Sequence, residues 1–290
     1  METPKMKNIL YPTDFSLTSR CSIPFLIEFA NKTGASIHIL NIFSVNIYDP
    51  NMPAELMMSA YQQAEASSKE NLDLLKKELE GYNQTHGRGA QSTYNLFTIS
   101  RQGLVVDEIL NYVEDNNIDI VVMGTTGASG ILEKIIGSNA ASVIEKCPKP
   151  VLAIPDKAEF RGINNIVYAT DLEEKELNEI KILAGISKLF NAELTLLHVC
   201  NEKETAIMED KEKIFNELKV EIDYMKTNLE MVQNENVING IDDYVSKHKT
   251  DIISMATHRR SLLGKIFDRS LTKQMAYHTR IPLLALERES

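Results

Sequence analysis

The chain has 290 residues, of which 43% are hydrophobic and 25% are charged, an ordinary globular composition with room for two domains. Its formal net charge is −10, and this excess of carboxylates argues against a nucleic-acid partner, because phosphate contacts require clustered Lys and Arg. The sequence contains no apolar run as long as a membrane span, and its first residues lack the apolar core of a signal peptide. We therefore expect a cytoplasmic protein without a membrane partner.

Short apolar strand patterns alternate with helical patterns through the first half of the chain. The predicted strands lie near 8–11, 36–43, 94–100, 118–123 and 151–154, and the predicted helices near 19–33, 54–81, 103–116 and 138–146. This alternation favours an α/β fold, a doubly wound and mainly parallel five-stranded sheet with helices on both faces. Right-handed crossovers bring the carboxyl ends of the strands to one edge, where such sheets bind ligands.

The second half of the chain repeats the first. The pattern NILYPTD at 8–14 returns as NIVYATD at 165–171, and the last strand at 150–154 returns at 282–286. We therefore predict two tandem domains, 1–156 and 163–290, of the same fold. The first copy is longer, mainly through an insert at 45–68 in which the sequence DPNMP interrupts regular structure.

The cysteines and histidines predict no metal site. Cys21, Cys147 and Cys200 are widely separated and lack CxxC spacing, which indicates neither a disulfide framework nor a zinc site. The six histidines do not cluster in the sequence, and those within predicted strands are interpreted as structural.

A glycine motif follows the fourth strand of the first copy. Gly124 and Gly127 lie in the loop after the strand, and Gly137 and Ser138 open the next helix. Glycines let the backbone approach a ligand closely, and the helix start adds exposed N–H groups, a hydroxyl and the positive end of the helix dipole. Each residue alone could be an ordinary loop glycine or a serine N-cap. Together they predict a phosphate-binding site.

The spacing Gly-x2-Gly-x9-Gly-Ser at 124–138 resembles the nucleotide-binding signature of the universal stress protein family. The ATP-binding members of that family carry this motif after their fourth strand. The resemblance implies domains of the adenine nucleotide alpha hydrolase-like fold, which pair through their last strands. In a tandem chain the pair would be an intramolecular pseudo-dimer, with a further homodimer left open.

The resemblance also implies a set of binding residues in the first copy. Residues at the ends of the first and second strands would contact the adenosine, and the glycine motif would surround the ribose and the phosphates. The expected binding residues are Pro12, Thr13, Asp14, Ile42, Met123, Gly124, Gly127, Gly137, Ser138 and Asn139. The implied ligand is ATP, ADP or AMP, which Mg²⁺ could accompany.

Asp14 has two compatible interpretations from the residues alone. Its carboxylate could accept hydrogen bonds from a ribose hydroxyl, or it could cap the following helix, a role for which Ser16 competes.

The second copy departs from the glycine motif. Ala256 and Arg259 stand where the first two glycines would be, and Arg269 replaces the third, although Asp171 is retained. A methyl group and two long side chains would fill the phosphate site, so we predict that this copy does not bind ATP in the family's manner. The run 257–260 is either a solvated basic loop or a site for another anion.

The sequence predicts no catalytic residues. It contains no GxxxxGK[ST], GxSxG or HExxH motif, and no evident pair of nucleophile and base. We therefore expect a stress-response protein in which nucleotide binding regulates conformation or the binding of a protein partner, with at most slow ATP hydrolysis. The alternatives are an interaction module that uses the pseudo-dimer surface and the 45–68 insert without nucleotide, and an enzyme that acts on the nucleotide.

Overall fold

The computed structural model describes residues 6–45, 53–85, 94–125, 136–200, 208–257 and 280–287. Strands and helices alternate along both halves of the chain. The strands are β1 (Asn8–Pro12), β2 (Ser36–Phe43), β3 (Leu96–Gln102), β4 (Ile120–Gly124), β5 (Val151–Ile154), β6 (Asn165–Ala169), β7 (Glu193–Cys200), β8 (Thr227–Gln233), β9 (Ile252–Thr257) and β10 (Leu283–Glu287). The helices are α1 (Leu17–Arg20), α2 (Ile23–Thr33), α3 (Ala54–Thr85), α4 (Val105–Asp115), α5 (Ser138–Lys146), α6 (Leu177–Phe190), α7 (Met208–Ile222) and α8 (Val237–Lys247), with a 3₁₀ turn at Glu174–Glu176.

The ten described strands form one continuous sheet in the order β3-β2-β1-β4-β5-β10-β9-β6-β7-β8. All neighbouring strands are parallel except β5 and β10, which pair antiparallel with Leu152 opposite Leu284. Each half thus has the same strand order, and the two halves join through their last strands. The predicted doubly wound fold and its internal pseudo-dimer are confirmed, while the exact domain limits, 1–156 and 163–290, stay a prediction.

Helices cover both faces of the sheet. One buried cluster contains side chains of α2, α3, α6 and α7, and a second contains side chains of α4, α5 and α8. The first cluster is continuous across the β5–β10 junction, where Phe29 of α2 meets Phe190 of α6 edge to face with ring centroids 4.8 Å apart. The two halves therefore share a core as well as a sheet.

The predicted helix at 19–33 is divided into α1 and α2. Pro24 lies in the first turn of α2, where it lacks an N–H group and its ring would clash with the carbonyl group four residues earlier. That carbonyl belongs to Arg20, the last residue of α1. The division brings α1 to the carboxyl ends of β1 and β4.

Helix α3 has 32 residues, and the burial of its apolar side chains differs along its length. Leu72, Leu75 and Leu79 are buried against the sheet, whereas Leu56 and Met58 in its first turns are each 58% exposed. Most of the predicted insert thus belongs to this helix, while residues 46–52 lie outside the described ranges. None of the described helices combines the length and the apolar composition that crossing a membrane requires.

Candidate functional site

A cleft opens at the carboxyl ends of β1, β2 and β4, beside the start of α5. Among the described residues, the cavity has a volume of about 150 Å³. The lining residues are Pro12, Thr13, Asp14, Ser19, Ile42, Val105, Ile109, Met123, Gly124, Thr125, Gly137, Ser138, Asn139 and Ala140. Nine of the ten predicted binding residues are among them, and the tenth, Gly127, lies outside the described residues.

The loop after β1 is held by hydrogen bonds on every side of Thr13. The Thr13 N–H donates to the Leu40 carbonyl at 2.9 Å, and the Thr13 carbonyl accepts from the Asn41 amide at 2.8 Å. The Thr13 hydroxyl accepts from the N–H of Phe15 at 3.0 Å, and Phe15 itself adopts the left-handed conformation with a φ of 62°. The chain therefore turns sharply at this point in a conformation fixed by its own side chains.

Of the two residues that could cap the helix after β1, Asp14 and Ser16, the structure gives the cap to Ser16. The Asp14 carboxylate accepts from the N–H of Ser16 at 3.0 Å and from the Ser16 hydroxyl at 2.6 Å. The Ser16 oxygen in turn accepts from the N–H of Ser19 at 3.1 Å and so caps α1. Asp14 is exposed at the cleft and makes an Asx-type turn, while the helix cap belongs to Ser16.

The start of α5 also lines the cleft. Gly137 is the N-cap, in an extended conformation with φ −68° and ψ 156°, and its N–H donates to the Thr125 carbonyl at 2.7 Å. The first turn of α5 contains no acidic residue, and Ser138 and Asn139 are exposed there. The positive end of the helix dipole and the helical N–H groups are thus available to an anion in the cleft.

Part of the cleft lining is apolar. Ile109 and Met123 are buried, and Ile42 and Val105 are partly exposed. Sequence reasoning placed Ile42 and Met123 here but missed Val105 and Ile109. The position of α4 could have indicated Val105 and Ile109, because the first turn of this helix follows β3 at the same edge of the sheet as the cleft.

Thr125 was also missed, although it directly follows Gly124 in the motif. It is 3% exposed, its N–H donates to the Ile154 carbonyl at 2.9 Å, and its carbonyl accepts from Gly137. Within the described part of the chain, its buried hydroxyl oxygen has no hydrogen-bond partner. A buried polar group usually has a partner, so this hydroxyl is a candidate contact for a bound ligand.

Ionisable side chains are scarce in the described lining of the cleft. Asp14 is the one ionisable side chain among the described lining residues. Proton transfer needs an acid or base within hydrogen-bond reach of the reacting group, and a nucleophile needs a base to activate it. The described lining therefore offers hydrogen bonds, a helix dipole and an apolar surface, with one carboxylate.

The second half repeats the turn after its first strand. Leu172 has a φ of 54°, its N–H donates to the Thr170 hydroxyl at 2.8 Å, and His198 donates through Nδ1 to the Thr170 carbonyl at 3.0 Å. These contacts match those around Thr13, so the two halves build this turn in the same way.

Glu176 makes the difference between the two turns, because it stands where the first half has Ser19. The Glu176 side chain is buried and accepts from the Tyr168 hydroxyl at 3.0 Å, the Thr170 hydroxyl at 2.7 Å and the N–H of Glu173 at 3.0 Å. A buried carboxylate under this turn disfavours a phosphate group nearby. The predicted anion site at 257–260 falls largely outside the described residues, as do Arg259 and Arg269.

The fold and the cleft define a tandem doubly wound α/β protein with a ligand cleft at the carboxyl edge of its first half. Residues 5–155, just over half of the chain, match the model of the Universal stress protein family. The chain belongs to this family.

Individual relatives agree with this assignment. A universal stress protein of Methanocaldococcus jannaschii is 26% identical over 165 residues, which cover 52% of this chain and 96% of the relative. A universal stress protein of Synechocystis is 26% identical over 149 residues, which cover 51% of this chain and 85% of the relative.

One solved structure extends the likeness in fold to nearly the whole chain. The crystal structure of a universal stress protein from Archaeoglobus fulgidus has a TM-score of 0.69 at 16% identity, and the match covers 98% of this chain and 100% of that one. At this identity the likeness concerns the fold alone.

Proposed function

We propose that the cleft of the first half binds ATP or another adenine nucleotide, and that the protein acts in the stress response as a nucleotide-dependent regulatory or interaction protein. The observation that carries this proposal is the convergence of nine residues, chosen from the sequence, on one cleft whose lining includes the start of α5. Membership of the universal stress protein family supports the stress-related role.

The apolar part of the lining suits the adenosine. Ile42, Val105 and Ile109 offer the apolar contacts that an adenine ring requires, and Asp14 offers an exposed carboxylate to the ribose hydroxyls. Most ligand pockets combine an apolar lining with a few polar groups that fix orientation.

The start of α5 suits the phosphates. The helical N–H groups, the exposed Ser138 hydroxyl and the absence of an acidic side chain in the first turn of α5 all favour an anion there. ATP, ADP and AMP share this chemistry, and Mg²⁺ would accompany the phosphates rather than a set of protein ligands.

The second half does not bind nucleotide in this way under the proposal. The methyl group of Ala256 replaces the hydrogen of Gly124, and the buried carboxylate of Glu176 replaces Ser19. The nucleotide would act as a bound regulator, with hydrolysis slow at most, since Asp14 is the one ionisable group in the described lining.

The test begins with the purified protein, denatured and analysed by mass spectrometry for a retained adenine nucleotide. A thermal-denaturation series with Mg-ATP, ADP and AMP follows, in which a ligand at 100 times its Kd adds about 2.7 kcal/mol of stability. Gly137→Glu should abolish this gain, because a carboxylate at the N-cap occupies the phosphate position and repels the ligand. Val237→Glu, which adds the same charge at the start of α8 in the second half, is the matched control. A wild-type protein that gains no stability at millimolar nucleotide would contradict the proposal.

A second candidate function is supported by the first turns of α3. Leu56, Met57 and Met58 are 58%, 37% and 58% exposed there, on the part of the helix that extends beyond the buried leucines. Under this alternative the protein is an interaction module that binds a partner through the 45–68 insert without nucleotide. Retention of one nucleotide per chain, together with its loss in Gly137→Glu, would decide against this alternative.

A further inference from the structure

We infer that Asn41 is a positioning residue for the nucleotide-binding turn. We also infer that Ser68 of α3 holds Asn41 in the orientation in which its amide donates to the Thr13 carbonyl. Helix α3 is thereby coupled to ligand binding in the first half. This inference rests on the proposed function of the cleft and adds residues outside the cleft lining to it.

Four residues form an ordered series of hydrogen bonds from β3 to the cleft. The Asn41 amide nitrogen donates to the Thr13 carbonyl at 2.8 Å, and the Asn41 amide oxygen accepts from the Ser68 hydroxyl at 2.7 Å. The Ser68 and Ser100 hydroxyl oxygens are 2.7 Å apart. Because Ser68 has already given its proton to Asn41, Ser100 is the donor in that last pair. Every donor in the series thus points towards Thr13.

The register of the sheet explains why α3 can take part. Asn41 of β2 and Ser100 of β3 are directly paired, so both side chains emerge on the face that α3 covers. Ser68 lies in the middle of α3 and is 4% exposed, and Asn41 is 7% exposed. Buried polar groups that lose their partners destabilise the fold, so the helix, the strand and the turn are held in one arrangement.

The second half supports a positioning role for Asn41. His198 occupies the matching place on β7 and donates to the Thr170 carbonyl at 3.0 Å. Two chemically different side chains therefore make the same contact with the same carbonyl of the turn. The shared feature is a donor from the second strand, so this contact holds the conformation of the turn in both halves.

The connection to α3 has a consequence for ligand binding. A nucleotide that contacts Pro12, Thr13 and Asp14 favours one arrangement of the turn, and the series of hydrogen bonds carries this preference to Ser68. Coupling between two sites is reciprocal. A change in α3 that displaces Ser68 must therefore weaken nucleotide binding, and bound nucleotide must stabilise α3 around Ser68.

The experiment compares nucleotide affinity with the stability of the ligand-free protein in five proteins, using Mg-ATP as the probe. Ser68→Ala and Asn41→Leu break the series, and Asn41→His tests rescue, because the second half uses histidine at the matching place. Ser254→Ala is the matched control, since Ser254 is a buried serine in β9 whose hydroxyl donates to the Leu284 carbonyl at 2.8 Å, far from the cleft in sequence and in the sheet order.

Ser68→Ala and Asn41→Leu should each weaken Mg-ATP binding about fivefold or more, whereas Asn41→His should restore most of the affinity. Ser254→Ala should lose stability with no loss of affinity. Hydrogen exchange on the wild-type protein gives a second readout that needs no variant: Mg-ATP should slow exchange of the α3 amides around Ser68.

The outcomes separate this inference from the proposed function. A wild-type protein that does not bind nucleotide would overturn both. The coupling alone would be overturned if Ser68→Ala and Asn41→Leu bound Mg-ATP as tightly as the wild-type protein and if Mg-ATP left hydrogen exchange in α3 unchanged. The nucleotide site would then remain in place.

Discussion

Gly124, the last residue of β4, lies directly against Ser19 of α1. A Cβ placed on Gly124 would come within 3.1 Å of the Ser19 Cα and 3.2 Å of the Thr18 carbonyl oxygen. The glycine therefore serves the packing of the fold as well as the cleft, because it lets the strand end approach the backbone of a helix. The second half has Ala256 at the matching place and a 3₁₀ turn, Glu174–Glu176, instead of α1.

Gly124→Ala should lower the free energy of unfolding by about 1–2 kcal/mol, because the added methyl group overpacks the contact with α1. The measurement is urea denaturation of the ligand-free protein. Gly81→Ala is the control: Gly81 is helical in α3 and nothing lies within 4 Å of an added Cβ, so this change should stabilise by about 0.5–1 kcal/mol. Equal effects of the two changes would argue against the contact.

Thr125→Val should stabilise the ligand-free protein by about 1 kcal/mol, because it removes a buried hydroxyl that has no partner in the described part of the chain. The same change should weaken nucleotide binding several-fold, since the hydroxyl would contact the bound ligand. Thr227→Val removes a similar buried hydroxyl in the second half and should leave nucleotide affinity unchanged. Calorimetric titration of both variants distinguishes a ligand contact from a packing effect.

Glu176→Gln should destabilise the protein by about 2–3 kcal/mol, because the amide cannot accept all three hydrogen bonds that the buried carboxylate receives. Urea denaturation gives the loss. Glu80→Gln, at an exposed position of α3, should change stability by less than about 0.5 kcal/mol. Nucleotide affinity should be unaffected in both variants, and a reduced affinity in Glu176→Gln would show that the second half contributes to binding.

His38 should make the protein less stable at mildly acidic pH. Burial lowers the pKa of His38 below its ordinary value of 6.5, and the ring is held by the Tyr112 hydroxyl at 2.7 Å and the Asn8 amide oxygen at 3.3 Å. Below pH 6.5 the unfolded chain binds a proton that the folded chain does not, so the free energy of unfolding falls as the pH falls. Denaturation between about pH 8 and pH 5 should show a smaller fall in His38→Gln than in the wild-type protein, and equal falls would exclude His38 as a cause.

Leu284→Ala should destabilise both halves together by about 2–5 kcal/mol, because Leu284 is fully buried at the β5–β10 junction. Circular dichroism in urea should show a single transition at lower denaturant, as a shared core requires. Leu74→Ala is the control: Leu74 in α3 is 57% exposed, so this change should alter the free energy of unfolding little. Two separate transitions in the wild-type protein would contradict a shared core.

The sequence predicted the elements of this fold because its periodic patterns are strong. The strands Ser36–Phe43 and Val151–Ile154 and the helix Ser138–Lys146 begin and end where the patterns indicated. The division between α1 and α2 was missed, although Pro24 marks it, because the helical pattern continues on both sides of the proline. Pairing through the last strands came from the family resemblance, since local periodicity carries no information about which edges meet.

Cleft residues that lie near glycines and strand ends could be predicted from the sequence. Cleft residues that reach the site only through the packing of a helix against the sheet could not. Gly137 and Asp14 stand out in the sequence by spacing and position. Val105 and Ile109 resemble any other apolar residues of α4, and the hydrogen bonds among Asn41, Ser68 and Ser100 join three separate elements. Such contacts depend on the register of the strands and the placement of α3, which no local pattern specifies.

The antiparallel β5–β10 junction lies within a single polypeptide, so the pairing of the two halves does not depend on protein concentration. In a dimer of identical chains, every substitution appears in both subunits and alters both sites at once. Here Glu176 and Ala256 occur in one half, while Ser19 and Gly124 are kept in the other. Covalent fusion thus allows the two halves to carry different residues at matching places of the same fold.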